Sequence, residues 1–592
     1  MSVENRKGKD KVIIANCSGF FGDRLAAAAE MVRGGPIDVL TGDYLAELTM
    51  ALLFRLKLKN PEAGYTPTFL KQMEEIMGEC LDKKIKVVSN AGGLNPRGLA
   101  QELLKIAERL GLHPKIACID GDDLMGRIAQ LQEAGEALVH LDKGISLKEG
   151  GLVPITANAY LGGWGIAAAL EKGADIVVSG RVADASLVMG PAAWWFGWKR
   201  DDWDRLAGAA VAGHIVECAA QATGGNYSFI DEVPSFLKVG YPIAEISSDG
   251  SSVITKHPGT GGLVSVDTVK AQLLYEVKEP TYLTPDVSAR FDTIQISQEA
   301  PDRVKISGVL GAPPPGTTKV CINCIGGYRN SATVVLTGLD IEKKAKIFEE
   351  AFFDNMGGRG QYALEEVQLV RSNKDDPQTN DEAFAYLRIS VMDKDQKKVD
   401  RFSAKIVELG LANIPGFTLT APPAKGTMAI IHWPALIPQG DVAQKIMIDG
   451  EEFSVGFVPS GTAAPPPQAP KISIPPVPAG KTVKIPFGRV FATRSGDKGG
   501  NANLGVWGKT PEAYAFLRDF LNVKKLKELL KDMSKYEIER YEFPNLYAVN
   551  FYIRGVLGEG VAASTRSDPQ AKTLGEYLRA KVVDLPESIV PH

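Results

Sequence analysis

Four side chains able to move protons or hold a substrate recur at helical spacing in the stretch VAGHIVECAAQATGGN, residues 211–226. His214, Glu217, Cys218 and Gln221 stand at i, i+3, i+4 and i+7. On a helix these positions share one face. That face joins a base, an acid, a thiol and an amide in an otherwise apolar helix, and buried polar groups need partners or a ligand. Histidine titrates near neutrality and a nearby carboxylate tunes it, so His214 with Glu217 suggests general acid–base chemistry. Cys218 adds a thiol, or simply packs as a small hydrophobe. Gly224, Gly225 and Asn226 then end the helix, because glycine accepts the left-handed backbone of a C-terminal turn.

Two further loops carry functional groups. His257 opens the turn HPGTGG, where Thr260 and the backbone N–H groups of Gly259–Gly262 can face an anion or a carbonyl oxygen. The loop Arg494-Ser-Gly-Asp-Lys498-Gly-Gly-Asn501 sets two cations among glycines, which suits a phosphate or carboxylate, or else a hairpin with an internal Arg–Asp pair. A metal site from His214, Glu217 and His257 is the weaker reading, since the chain has only six His and no tight ligand cluster; no metal is expected. Cys321 and Cys324 resemble CxxC, but residues three apart on a strand point to opposite faces and no second pair exists. Gly163-Trp-Gly-Ile-Ala-Ala168 matches a loose dinucleotide pattern, yet the next strand ends in Ser179-Gly180-Arg181 without an acidic residue, so packing around Trp164 is preferred. Trp194, Trp195, Trp198 and Trp203 read as core or interface. A Walker A sequence, a G-x-S-x-G elbow and an H-E-x-x-H motif are absent.

The elements that must position these groups are legible in outline. Over residues 1–284, short Val/Ile-rich runs (KVIIAN, PIDVLTGD, KIKVVSN, KIACIDGDD, LVPITAN, DIVVSGRVAD) alternate with helices. That pattern predicts an α/β domain with a mostly parallel sheet covered on both faces. Ligands bind beyond the carboxyl ends of such strands, where the runs end in small or polar residues. The candidate binding residues are therefore Ser18, Asp23, Asn90, Asn95, Asn158, Arg181, Gln221, Gly224, Gly225, Asn226, Thr260, Arg494 and Lys498, around a catalytic set of Glu217, His214, Cys218 and His257. Residues 285–459 read as an α+β domain, 460–483 as a Pro-rich linker, and 484–592 as a small α+β domain built on two strand pairs.

With 592 residues the chain exceeds one hydrophobic core. Its 44% hydrophobic and 23% charged residues are ordinary for a globular protein, and a net charge of −4 offers no footprint for nucleic acid or an anionic membrane. No apolar run has transmembrane length, the first residues lack a secretory h-region, and six scattered Cys make no disulfide framework, so a cytoplasmic setting is expected. A homo-oligomer is also expected.

The motifs SGFFGDR, NAGGLNP, ANAYLGG, SGRVADASL, GHIVECAAQATGGN and HPGTGGLVSVDTV resemble the acyclic terpene utilisation (AtuA-type) family. The tail motifs RSGDKGGNANLGVW and LGEGVAASTRSDPQAKTLGEYLR resemble the small ferredoxin-like domain that accompanies it. The resemblance implies a place in CoA-thioester metabolism connected with citronellol and geraniol breakdown. It specifies no reaction. Taken with the residues, it gives the expectation of a cofactor-independent lyase, of hydratase/dehydratase type, acting on a branched acyl-CoA or related carboxylic acid. The CoA moiety then belongs to the substrate. Two other expectations are a non-catalytic partner of an acyl-CoA carboxylase and, from the Gly163–Ala168 match, an NADP-linked oxidoreductase.

Overall fold

The computed structural model describes residues 9–459 and 468–591. Residues 460–467, within the expected Pro-rich linker, lie outside them. The chain forms two compact units: Met1–Asn323 with Trp433–Leu557 and Gln570–His592, and Cys324–His432 with Gly558–Pro569.

The first unit is organised by β1 (Lys11–Asn16), β2 (Val39–Gly42), β3 (Lys86–Ser89), β4 (Ile116–Asp120), β5 (Val153–Ala159), β6 (Ile176–Ser179), β7 (Pro242–Ser247) and β8 (Ser252–Lys256). Five of these run parallel in the order β1-β2-β3-β6-β4. Their Val/Ile/Leu runs are buried throughout, as a sheet covered on both faces requires. Antiparallel strands extend both edges: β7, β8, Arg303–Ser307 and Gln295–Ala300 beyond β1, and Gln444–Ile448 with Glu451–Val455 beyond β4. The helices Ala27–Gly34, Pro67–Lys83 and Pro96–Leu110 share one buried apolar cluster with the sheet. Ser186–Phe196 and Trp203–Val216 contact β1, β2 and β7.

Two expectations are corrected. LVPITAN is a strand, β5, but it leaves the parallel sheet and pairs with the strand Thr317–Thr337. A short Val/Ile run marks a buried strand without stating which sheet it joins. Nor does the parallel sheet end with residue 284. Strands from 295–307 and 444–455 complete it, so this unit returns to the sheet after the segment 324–432.

The second unit is α+β. Ile341–Asn355 and Gln396–Glu408 pack on an antiparallel sheet of Leu364–Val370, Phe384–Asp393 and the later part of Thr317–Thr337. TTKVCINCIGG and SATVVLTGLD, which read as two strands, are one strand of 21 residues. Cys321 and Cys324 are both buried and neither is in a disulfide.

Within the first unit, residues 492–553 add a four-stranded antiparallel sheet in the order Ala492–Lys498, Asn501–Trp507, Ala548–Ile553, Ile538–Phe543. The glycine loop is the two-residue turn Gly499-Gly500 between paired Lys498 and Asn501. Among the described residues no helix is long and apolar enough to cross a membrane.

Candidate functional site

The helix Trp203–Val216 stops one residue before Glu217. The cause lies 200 residues upstream, at the carboxyl end of β1. Asn16 Nδ2 donates to the carbonyls of Val216 (2.6 Å) and Glu217 (3.2 Å), which takes up the last turn's free acceptors. Gly19 lies against the Cys218 backbone; a Cβ there would stand 2.7 Å from the Cys218 carbonyl carbon. Ala219 then adopts φ 51°, a left-handed conformation uncommon for a residue with a side chain, before a 3-10 turn over Ala219–Thr223. The expected four-residue stripe is therefore cut. Gln221 sits beyond the break, where its Oε1 accepts from Asn226 Nδ2 at 3.2 Å.

His214 and Glu217 remain together. His214 is 1% exposed and Glu217 9%. His214 Nε2 donates to the Gln272 carbonyl at 3.0 Å, and the Gln272 amide donates back to the His214 carbonyl at 3.2 Å. A carbonyl only accepts, so the neutral ring keeps its proton on Nε2 and presents Nδ1 as an acceptor. Nδ1 lies 3.1 Å from Glu217 Oε1. Burial holds the imidazole down to about 4, with the charge of Lys498 adding to it. Burial, and then the like charges of Asp184 and Glu276, push the Glu217 carboxyl well above the ordinary carboxylate range. Burial thus favours the neutral form of both groups, and His214 Nδ1 faces the carboxyl with no hydrogen-bond partner among the described residues. Glu217 Oε2 is buried and has no hydrogen-bond partner among the described residues. The ring is walled by Tyr282 and Phe291 at 5.0 and 5.4 Å.

This pair meets the rim of the parallel sheet. Asp43, after β2, accepts from Asn90 Nδ2 at 2.7 Å after β3. Arg181, after β6, pairs with Asp184 and stacks 4.1 Å over the Tyr160 ring. Tyr160 OH donates to Glu47 at 3.0 Å, and Lys319 holds the same oxygen at 2.9 Å. Burial, then Asp184, raises the Asp43 carboxyl, and Glu217 contributes to that rise.

The C-terminal sheet closes the other side. Side chains at alternate positions of Ala492–Lys498 share a face, so Arg494, Gly496 and Lys498 form one row. Cross-strand partners on that face are Gly505, Asn503 and Asn501. Asn503 donates to the Leu274 carbonyl (2.6 Å) and accepts from Glu276 N (2.9 Å). Asn550 donates to the carbonyls of Val277 and Lys278, both at 2.9 Å. The backbone of 274–278 is thereby laid on the sheet. Tyr275 comes down over Gly496, with Arg494 4.4 Å and Lys572 4.6 Å from its ring centre. Arg494 is 6% exposed and its Nη2 has no hydrogen-bond partner among the described residues. Burial and Glu276 push Asp497 up to about 8.

A family model described as acyclic terpene utilisation family protein AtuA matches residues 12–448. The chain belongs to the AtuA family. The AtuA ferredoxin-like domain model matches residues 485–584, which contain the four-stranded sheet just described. No match is found among curated proteins.

Of the AtuA chain's expected site residues, His214, Glu217, Cys218, Asn90, Arg181, Arg494 and Lys498 belong to this one region. Others do not. His257 Nε2 donates to the Met31 carbonyl at 2.9 Å and the ring packs on Gly34 and Gly35, so it satisfies the end of the helix Ala27–Gly34. Thr260 donates to the His257 carbonyl, and the N–H groups of Gly261 and Gly262 are taken by Lys238 and Ser235. Gly224 and Gly225 both donate to the Ala220 carbonyl. Neither glycine turn has those donors left for an oxyanion. Asn226, at φ 59°, spends its amide on Gln221. Asn95 caps the helix Pro96–Leu110. Ser18 donates to the Phe20 carbonyl, while Asp23 accepts from Gly19 N, Arg24 N and Tyr241 OH, so both shape the first loop. Asn158 donates to Asp122, whose carboxyl burial pushes up to about 7. The Gly163–Ala168 motif starts the helix Trp164–Glu171, but two of its N–H groups are occupied. Gly163 N donates to Asp286 and Gly165 N to Gln444, so a protein carboxyl fills the place a pyrophosphate takes in a dinucleotide fold.

Cys218 stays a thiol: burial, then Glu217 and Glu276, push it well above its ordinary range. Nucleophilic chemistry needs the thiolate. Cys218→Ala is therefore expected to keep activity within about threefold, and Cys218 to react slowly with iodoacetamide at pH 7.5, read by mass spectrometry of the tryptic peptide.

The lowered His214 value has a stability consequence. The folded state holds the ring neutral to about 4, whereas an unfolded His protonates near 6.5. Its contribution is complete above ~6.5 and is lost as pH falls toward 4, to the extent of about 3 kcal/mol. Urea unfolding of His214→Phe is expected to lose that acid-side dependence; a wild-type slope retained in the variant assigns it to other groups.

Proposed function

We propose that the protein is a lyase of hydratase/dehydratase type acting on a branched acyl-CoA or a related carboxylic acid, within acyclic terpene utilisation. The observation that carries this reading is the buried His214–Glu217 pair, with Nδ1 and Oε1 3.1 Å apart. In the elimination direction, the Glu217 proton passes to His214 Nδ1, and the Glu217 carboxylate so formed takes the proton from the carbon beside the carbonyl. Lys498 and Arg181 offset the negative charge that develops on the carbonyl oxygen. Glu217, again protonated, then delivers that proton to the departing β-hydroxyl. Water leaves, the carbon–carbon double bond forms, and the pair returns to its neutral state. Hydration is the reverse. Any CoA arrives with the substrate, and the steps call on no separate cofactor.

The test is to incubate the purified protein with a panel of enoyl- and hydroxyacyl-CoAs and hydroxy acids, with and without chelator. Gain or loss of one water, followed by mass, supports the reading. Turnover that changes redox state, or none across both classes, removes it.

A further inference from the structure

A cleft opens where the Gly163–Ala168 motif begins its helix. It is an open cleft of about 540 Å³, the solvent at its mouth included. Trp164, Trp203, Pro285, Pro314 and Phe457 give it an apolar wall, and Tyr160, Asp286, Gln439 and Gln444 a polar one. One cation lines it, Arg200, whose guanidinium stacks 5.0 Å over the Trp164 ring. The Arg200 side chain makes one protein hydrogen bond, from Nη1 to the Gly456 carbonyl at 3.2 Å, and no ion pair among the described residues. A guanidinium offers five N–H donors in a fork that fits a carboxylate, so most of this fork is unused. Burial lowers the Arg200 value, as expected for a cation taken partly out of water, and the charge of Asp286 only partly offsets it. The carboxyl that also lines the cavity, Asp286, acts on Arg200 through its charge but makes no ion pair with it among the described residues. Its oxygens accept from Gly163 N and from the Ser186 hydroxyl.

We propose that this cavity binds a carboxylate bearing an apolar tail. The carboxylate sits on the Arg200 fork, and the tail lies between the Trp164, Trp203 and Phe457 rings and the two prolines. A phosphate-bearing nucleotide fits less well, because the N–H groups of Gly163 and Gly165 at the neighbouring helix start are already spent on Asp286 and Gln444. The inference does not depend on proton transfer at Glu217. Two tryptophans in the wall make the site self-reporting.

The test is titration of the full-length protein with octanoate, followed by calorimetry and tryptophan emission, beside acetate (charge without tail) and octanol (tail without charge). Octanoate is expected to bind at least tenfold more tightly than either. Arg200→Gln is expected to weaken octanoate about tenfold or more, the effect of one charge-assisted contact. Arg200→Lys, which keeps charge but not the fork, is expected to fall between. Glu217→Gln is expected to bind octanoate as the wild type does, which separates this site from the chemistry proposed above. No octanoate binding by the wild type overturns the proposal. So does equal binding of octanol, or wild-type affinity in Arg200→Gln. If Arg200→Gln does not fold, the wild-type comparison of octanoate with octanol and the Arg200→Lys affinity decide.

Discussion

Glu217→Gln is expected to lower turnover by about 10²–10⁴-fold, the range for removing a positioned acid–base group, on any substrate to which the wild type adds or removes water. The side chain keeps its size, and the amide can still donate to His214 Nδ1, so circular dichroism and melting are expected to stay near wild type. The loss is expected in kcat rather than KM, because the missing proton acts in the transition state. His214→Gln is expected to be impaired as well, and the double variant little worse than the worse single one, since the two residues act as one unit. Additive losses argue instead for independent roles. Full activity in Glu217→Gln removes the residue from the mechanism.

Gly496→Ala is the second large effect. A Cβ at 496 would lie 2.2 Å from Tyr275 Cε2, closer than non-bonded carbons approach. Tyr275 has little room to yield. Its ring lies beside both Arg494 and Lys572, and the flanking backbone is pinned by Asn503 and Asn550. Overpacking of this kind costs about 1–3 kcal/mol. The strain falls on the segment that carries Glu276 and on the strand that carries Lys498, both electrostatic neighbours of Glu217. A lower melting temperature and at least a tenfold loss of activity are expected together. The control is the cycle with Tyr275→Ala. Once the ring is gone, adding the methyl group at 496 is expected to cost far less. An equal cost in both backgrounds means the glycine matters for some other reason.

What the sequence disclosed, and what it hid, follows from the range of the interactions. The parallel strands were legible because each Val/Ile run is self-contained. So was the pairing of His214 with Glu217, since i and i+3 meet on any helix. The break after Val216 was not legible. It is imposed by Asn16 and Gly19 from the end of β1, and nothing local to VECAAQA announces it. His257 was misplaced for a related reason: a His-Pro-Gly turn looks open until the end of the helix Ala27–Gly34 is set against it. Glu47, Asp184, Tyr160, Lys319, Tyr275, Glu276 and Lys572 were all missed. Each is a lone charged or aromatic residue that reads as surface or core until the fold gathers them. One signal was there to be used. Arg494, Gly496 and Lys498, with Asn501, Asn503 and Gly505, alternate polar and glycine positions on one face of a hairpin, the pattern of a sheet built to receive another segment's backbone.

The most direct measurement is the protonation of Glu217 itself. Infrared difference spectra of wild type against Glu217→Gln, taken across a pH series, isolate the carbonyl stretch of this one carboxyl. The account predicts a protonated carboxyl that persists above the pH at which an exposed Glu is ionised, and that shifts when His214 is replaced. A band lost by about pH 5, as for an ordinary solvated Glu, contradicts it.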